Sequence, residues 1–295
     1  MPRILITGAS GRLGRYLIRH LVRQERSDVV AWSGATRTPL YGIALEPVDL
    51  SDFESVERAL ARVRPDIIIH AAAMSRLSDC VADPARAARV NAEASGHLAR
   101  LAGTTGCRMV YLSTDLVFDG SGSWYSEDAP PAPVSVYGRS KLQGEQASRA
   151  APDSVRVRLA NLFGPTLGGQ PSMHDQLVTA LRQRVPITLF DDEWRSPLAF
   201  PVAAAAVAAI AASPVVGLVH LGGPDRLSRL EMGLLAAEEL GLDPAPIRAA
   251  RRSAIPAAEP RPRDVSLDST RWRTAFPDLW WPDYRTAVRE MAARP

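Results

Sequence analysis

The chain has 295 residues, of which 46% are hydrophobic and 23% charged, and its net charge is +3. This length allows a sizeable core in one or two domains, and the small charge argues against a dedicated nucleic-acid-binding protein. Two cysteines, Cys80 and Cys107, are too few for a disulfide framework or a zinc site. The N-terminus lacks a signal-peptide shape, and no apolar run could span a bilayer. We therefore expect a cytoplasmic protein that binds neither membranes nor nucleic acid.

The N-terminus predicts a nucleotide-binding loop. An apolar strand over residues 3–6 ends in a glycine-rich turn, and an amphipathic helix follows. Such a turn leaves free backbone N–H groups at a helix N-terminus, which suits a pyrophosphate. Gly8 would permit the turn, Gly11 the approach of phosphate and Gly14 the helix–strand packing; a purely structural turn is the alternative. The other loop residues expected at the dinucleotide are Ser10, Arg12 and Leu13.

The second strand, residues 28–32, bears on the choice of cofactor. A site that prefers NAD usually has an acidic residue at the end of this strand for the ribose hydroxyls. Here residues 33–37 contain no acid but include Ser33 and Arg37. With Arg12 they would suit a 2′-phosphate, so we favour NADP(H), with NAD(H) possible. The alternative is that both arginines are simply solvated.

Two further strands, residues 45–48 and 66–70, continue the alternation with helices. Either Ser51 or Asp52 is expected to cap the helix between them. His70, at the end of the second strand, is expected to be a packed residue. Small residues then follow where a backbone should lie against the cofactor: Ala71, Ala72 and Ala73.

Polar groups in the middle of the chain suggest an active site. One long helix is predicted over residues 85–102, with Asn91, a poor helix former, inside it. The buried strand 108–112 leads to Ser113 and Thr114, at the carboxyl end where open parallel sheets bind ligands. A hydroxyl there can hydrogen-bond a substrate oxygen.

Tyr137 and Lys141 lie four residues apart on a predicted helix and therefore share a face. An ammonium close to a phenol favours the phenolate and so lowers the tyrosine pKa. Such a tyrosine can give a proton to a carbonyl oxygen or take one from an alcohol. The pair is our candidate for the chemistry.

The remaining strands and helices complete a doubly wound α/β fold of the Rossmann type. Strands are expected at 154–159, 187–190 and 216–221, and helices at 175–184, 202–212 and 283–292. Ser228 and Glu231 have the spacing of a capping box. We expect a nucleotide-binding domain over residues 1–167, completed by about 198–222. Residues 168–197 and 223–295 would form a smaller substrate-binding lobe.

The glycine loop, Thr114, Tyr137 and Lys141 together resemble the extended short-chain dehydrogenase/reductase superfamily. The run from Ser113 to Gly120 is similar to the dTDP-4-dehydrorhamnose reductase family, which carries Tyr where this chain has Leu116. The resemblance spans almost the whole chain. It implies reduction of a 4-keto-6-deoxy sugar nucleotide by NAD(P)H, with hydride delivered to C4. Tyr137 would protonate the oxygen, Lys141 would hold the nicotinamide ribose and Thr114 would orient the carbonyl.

The resemblance also implies further site residues. Asp49 and Leu50 would contact the adenine, and Asn91 would help to order the cofactor site. Ser113, Asn161, Arg195 and Arg261 would contact the substrate, the two arginines through its phosphates. For Arg195 the alternative is an ion pair with Asp191 or Asp192. We expect a homodimer, and we find no convincing ligand cluster for a divalent metal.

Three alternatives stay open. An epimerase or dehydratase would use the same residues with tightly held NAD. Asn161 and Arg195 favour this alternative. At the position of Asn161 the rhamnose reductases tend to have an aromatic residue. A non-catalytic NADP-binding subunit, like the regulatory subunit of methionine adenosyltransferase, is the second. A redox sensor that merely binds nucleotide is the third, and it would not need Tyr137 and Lys141.

Overall fold

The structure is a computed structural model that describes residues 1–293. Its strands, in chain order, are β1 (Arg3–Thr7), β2 (Asp28–Ser33), β3 (Leu45–Pro47), β4 (Ile67–His70), β5 (Arg108–Thr114), β6 (Ser154–Leu159), β7 (Leu162–Phe163), β8 (Ile187–Phe190), β9 (Trp194–Arg195), β10 (Leu198–Ala199), β11 (Gly217–Leu221), β12 (Leu227–Ser228) and β13 (Ile247–Ala250). The α-helices are α1 (Arg12–Gln24), α2 (Phe53–Val63), α3 (Leu77–Ala82), α4 (Pro84–Ala88), α5 (Ala94–Thr105), α6 (Val136–Ala147), α7 (Met173–Gln183), α8 (Phe200–Ala211), α9 (Arg229–Glu239), α10 (Thr270–Ala275) and α11 (Tyr284–Ala293). Within residues 1–293, no helix combines the length and apolar character needed to cross a bilayer.

Seven strands form one parallel sheet in the order β11-β6-β5-β4-β1-β2-β3. Alternate side chains of β1 enter two separate cores. Ile4 and Ile6 pack with residues of α1 and α8, whereas Leu5 packs with residues of α2 and α5. Because both faces are covered, the central strands β1, β4 and β5 are largely apolar along their length. The chain winds in opposite directions from β1, so the predicted doubly wound Rossmann-type sheet is confirmed.

Three pairs of short strands lie outside this sheet. They are β7 with β10, β8 with β13, both parallel, and β9 with β12, which is antiparallel. Helix α9 packs on β8, β13 and α11. Its N-terminus has the predicted capping box: Ser228 and Glu231 each accept a hydrogen bond from the other's backbone N–H.

The predicted helix over residues 85–102 is not continuous. It is divided into α4, a π-helical turn over Arg89–Glu93, and α5. Asn91 lies in the middle of this turn, and its side-chain amide bonds to groups outside the helix. A π-turn inserts an extra residue into the helix and is frequent at functional sites. Two short helices, α3 and α10, were not predicted.

A buried ion pair joins β6 to the back of α6. The Arg158 guanidinium donates two hydrogen bonds to the Glu145 carboxylate, each of 2.9 Å, and both side chains are buried. Replacing Arg158 with Ala would leave this carboxylate buried and uncompensated, so we expect a loss of about 3–5 kcal/mol in the free energy of unfolding. Unfolding in urea measures this loss.

The matched control is Arg285→Ala, which removes an arginine side chain that is 41% exposed from its ion pairs with Glu238 and Glu239. Exposed pairs contribute little, so this variant should unfold almost as the wild type does. An Arg158→Ala loss no greater than that of Arg285→Ala would contradict the stabilising role of the buried pair.

Candidate active site

A cavity of about 900 Å³ opens at the carboxyl ends of the central strands. Its lining includes the glycine loop, where all the predicted residues are present: Gly8, Ser10, Gly11, Arg12, Leu13 and Gly14. Asp49, Leu50 and the three alanines Ala71, Ala72 and Ala73 also line it. Four residues predicted for the chemistry or the substrate complete this set: Ser113, Tyr137, Lys141 and Asn161. Segments far apart in the sequence thus meet at the edge of the sheet where open α/β folds bind ligands.

The glycine loop is shaped by close backbone packing. Gly8 has a φ of +69°, and a Cβ there would lie 2.6 Å from the backbone of Ala72. A Cβ on Gly14 would lie 2.4 Å from the carbonyl oxygen of Gly8. Helix α1 begins after Gly11 without a side-chain cap, so its first N–H groups are available to an anion beside the cavity. This cradle fits a dinucleotide pyrophosphate.

A second wall of the cavity comes from Gly168, Gly169 and Gln170. Arg15 ties this segment to the glycine loop. Its Nε donates to the Ser10 carbonyl and its Nη1 to the Leu167 carbonyl, both at 3.0 Å. The sequence placed a domain boundary at this segment and did not predict a contact with the nucleotide cleft.

The two arginines predicted for a 2′-phosphate are placed differently. Arg12 lines the cavity, whereas Arg37 is exposed and lies outside its lining. Ser33 lines the cavity, but its hydroxyl donates to the Thr36 carbonyl. Of these two arginines, Arg12 is therefore the better placed for the phosphate.

Asp49 is available at the cavity because the neighbouring helix has its own cap. Asp52 accepts the hydrogen bond from Ser55 N–H at the start of α2, at 3.1 Å. Asp49 instead accepts from the hydroxyl and N–H of Ser51 at 2.7 and 2.9 Å. These two bonds hold the Asp49 pKa below its usual value, so the residue is an anion.

Thr114 and Tyr137 are brought together at the end of β5. Tyr137 lies in the first turn of α6, whose N-cap Ser135 accepts from Gly138 N–H at 3.0 Å. Its phenol lies beside the Thr114 side chain. Burial raises the Tyr137 pKa above its usual value, and the Asp115 carboxylate raises it further. The phenol is therefore protonated at neutral pH, as a proton donor must be.

The sequence predicted that Lys141 would lower the Tyr137 pKa, and the structure differs. The Lys141 ammonium lies 4.2 Å from the centroid of the Tyr111 ring, and the side chain is 2% exposed. Burial lowers the Lys141 pKa to about 7, although Glu145 opposes the shift. The pairwise argument from spacing omitted burial, which disfavours both the phenolate and the ammonium.

The burial of Lys141 lowers the stability of the folded protein by an amount that depends on pH. Below pH 7 Lys141 is charged in the folded and unfolded chains, and folding carries the full desolvation cost. Between about pH 7 and 10 the unfolded chain holds the extra proton, so stability rises with pH. We expect Lys141→Met to raise the Tm of the nucleotide-free protein by about 5 °C near pH 6. Melting curves should show that this gain in Tm shrinks towards pH 10. A gain that did not depend on pH would contradict the idea that burial of the charged Lys141 destabilises the protein.

Asn91 supports the site without lining the cavity. Its Nδ2 donates to the Met74 carbonyl at 3.0 Å and to the Ser140 hydroxyl at 2.9 Å, and its Oδ1 accepts from Met74 N–H at 2.8 Å. It thus ties the π-turn to the segment after β4 and to α6. His70 is fully buried between Thr7 and Ser95, as a packed residue.

The predicted substrate residues are spread more widely. Asn161 lines the cavity, while the Ser113 hydroxyl donates to Glu145 at 2.5 Å. Arg195 is buried, and its ion-pair partner is Glu193, at 3.1 Å, rather than Asp191 or Asp192. The Arg261 guanidinium stacks on the Phe190 ring at 4.7 Å. Both arginines lie beyond the lining of this cavity.

Asp115 is a buried acid next to the candidate catalytic residues. It is buried directly after Thr114, whose hydroxyl donates to its Oδ1 at 3.1 Å. Among the described residues its Oδ2 has no hydrogen-bond partner. Burial raises its pKa, while the charges of Arg195 and Arg229 oppose the shift. Its position beside Tyr137 became evident only in the folded chain. Within residues 1–293, no group of three or more acidic, His or Cys side chains could hold a metal ion.

Known proteins show the same architecture. A dTDP-4-dehydrorhamnose reductase of Streptomyces griseus is 33% identical, with 93% of this chain and 88% of that protein covered. Methionine adenosyltransferase 2 subunit beta of Mus musculus is 29% identical, with 98% and 86% covered. The crystal structure of dTDP-4-dehydrorhamnose reductase from Bacillus anthracis, in complex with NADP, superposes with a TM-score of 0.88 at 22% identity, covering 100% of this chain and 99% of that one. The family model described as RmlD substrate binding domain matches residues 2–295. The chain therefore belongs to the RmlD substrate binding domain family.

Proposed function

We propose that this protein is an NADPH-dependent reductase of a 4-keto-6-deoxy sugar nucleotide, similar to dTDP-4-dehydrorhamnose reductase. The observation that carries the proposal is the shared cavity: Tyr137, Lys141 and the Gly8–Gly14 cradle all line it. The protonated phenol favours the direction in which a carbonyl is reduced. Membership of a family with reductases at 33% identity supports the same reading.

The residues of the cleft fit NADP(H), with NAD(H) as the second choice. The loop from Gly8 to Gly14, including Ser10, Gly11 and Leu13, would hold the pyrophosphate, and Arg12 the 2′-phosphate. Asp49 and Leu50 would contact the adenosine, and the backbone of Ala71–Ala73 would border the nicotinamide half. When bound, the cofactor supplies the hydride that is added to the carbonyl carbon.

The chain's own residues manage the oxygen and its proton. Thr114 and Tyr137 lie beside each other at the end of β5, so both hydroxyls could bind the same carbonyl oxygen. Tyr137 donates its proton as negative charge develops on that oxygen. Lys141, with its pKa near neutrality, can hold a positive charge that stabilises the resulting phenolate. General acid catalysis of this kind contributes about 10²–10⁴-fold.

The smaller lobe, residues 168–197 and 223–295, would bind the sugar nucleotide. We assign Asn161 to the substrate, and Arg195 and Arg261 to its phosphates, although Arg195 would first have to exchange its partner Glu193. The hydrogen bond from Ser113 to Glu145 gives Ser113 a supporting role. A cytoplasmic homodimer is part of the same proposal.

The test is oxidation of NADPH, and then of NADH, by purified protein given dTDP-4-keto-6-deoxy-L-mannose, with cofactor affinity measured in parallel. Turnover would support the proposal and rank the two cofactors. Cofactor binding without turnover would point to another sugar nucleotide or, given the similarity to the adenosyltransferase subunit, to a regulatory role. Failure to bind either cofactor would refute the assignment of the glycine loop.

A further inference from the structure

The segment Arg251–Arg263 is fixed at both ends to the smaller lobe. Arg252 N–H donates to Asp192 at 2.8 Å, and the Arg263 carbonyl accepts from Trp194 N–H at 2.8 Å. Between these anchors the chain reaches across to α6. The segment therefore spans from the candidate phosphate-binding residue Arg261 to the helix that carries Tyr137.

The contact with α6 is made by Glu259. Its Oε1 accepts a hydrogen bond of 2.7 Å from Val136 N–H and lies 3.5 Å from Nη2 of Arg139. The Glu259 side chain is 15% exposed, and its Oε2 is buried without a hydrogen-bond partner among the described residues. Pro260 follows it and restricts its backbone to extended conformations, which limits how far the carboxylate can move.

Val136 is the first residue of α6, directly before Tyr137. Its N–H is one of the groups that a helix cannot satisfy internally, and a carboxylate at this end also complements the helix dipole. Ser135 already accepts from the Gly138 N–H. Glu259 thus supplies a second cap to the catalytic turn, from a residue 123 positions away in sequence.

We propose that Glu259 is a positioning residue for the reductase reaction. It holds the first turn of α6 against the segment that carries Arg261, so that the phenol of Tyr137 keeps a fixed distance from the arginine that grips the substrate phosphate. The proposal rests on the proposed function for the role of Arg261. The mechanical link itself does not depend on the identity of the substrate.

Two variants separate positioning from general stability. Glu259→Ala removes the link, whereas Glu259→Gln keeps an oxygen that can accept from Val136 N–H. We expect Glu259→Ala to lower kcat/KM for the keto sugar nucleotide by about ten- to a hundredfold, as misplaced catalytic groups do. Glu259→Gln should stay within about threefold of the wild type. The Kd for NADPH should be unchanged in both, since the glycine loop is untouched.

The matched control is Asp283→Ala, which removes a carboxylate bonded at 2.7 Å to Thr286 N–H in the first turn of α11. It should leave kcat/KM at the wild-type value although it also uncaps a helix. Equal losses in Asp283→Ala and Glu259→Ala would overturn the proposal, as would a wild-type kcat/KM in Glu259→Ala.

Hydrogen exchange tests the link without a substrate. In Glu259→Ala, amide exchange should accelerate both in the first turn of α6 and in residues 251–263, and in Glu259→Gln it should not. Unchanged exchange at α6 in Glu259→Ala would overturn the proposal. If the wild-type protein reduces no keto sugar nucleotide, the proposed function fails, and the exchange result alone decides whether Glu259 holds the helix.

Discussion

Replacing Tyr137 with Phe is expected to lower the turnover of a keto sugar nucleotide by about 10²–10⁴-fold. The substitution removes the hydroxyl beside Thr114 that is proposed to protonate the substrate oxygen. The ring remains, so the packing of α6 and the cofactor cleft should be preserved. Steady-state kinetics gives the loss in kcat, and titration of NADPH should give a Kd within about twofold of the wild type.

Tyr125→Phe is the matched control. Its hydroxyl also makes hydrogen bonds, with Asp119 at 2.9 Å and with Gly122 N–H at 2.8 Å, but it does not line the cavity. This variant should keep wild-type turnover. Retained turnover in Tyr137→Phe would show that the proton comes from another group, and Asp115 would be the next residue to test.

The second large effect is expected at the glycine loop. Gly8→Ala places a Cβ 2.6 Å from the backbone of Ala72, at a φ of +69° that L-residues rarely adopt. Left-handed backbone and overpacking each cost about 1–3 kcal/mol, so the loop must shift away from Ala72. We expect the Kd for NADPH to rise by about a hundredfold or more, as measured by calorimetric titration.

Gly106→Ala separates the effect of the left-handed backbone from the effect of the contact with Ala72. Gly106 has the same φ of +69°, but a Cβ there would meet nothing within 4 Å. This variant should lose some stability from backbone strain alone and should bind NADPH normally. If Gly8→Ala bound NADPH as tightly as Gly106→Ala, the close approach of Gly8 to Ala72 would not be what shapes the nucleotide site.

Elements whose pattern is local could be predicted from the sequence. The strands Ser154–Leu159 and Ile187–Phe190 have the predicted bounds, because short runs rich in β-branched and other apolar residues favour strands. The break in the helix around Asn91 could not be predicted. It depends on Met74 and Ser140, which are 17 and 49 residues away and become neighbours only when the sheet is assembled.

The candidate site, too, could be predicted only in part. The glycine loop and the Tyr137–Lys141 pair have fixed spacings, so their residues could be placed in one cavity before the fold was known. The charge states of these residues could not be predicted, because the pKa of Tyr137 depends on its burial and on Asp115. Glu259 was missed because nothing in its local sequence shows that it meets α6.

The hydrogen bonds of Arg15 affect where this chain can be joined to part of a relative in a chimeric protein. Arg15 bonds to the carbonyls of both Ser10 and Leu167, and the glycines that follow Leu167 form one side of the nucleotide cleft. A chimera that joins the first 167 residues of this chain to the remainder of a relative would therefore replace this side of the nucleotide cleft. Its affinity for NADPH would change together with its sugar specificity, whereas a junction after residue 171 would keep this side of the cleft.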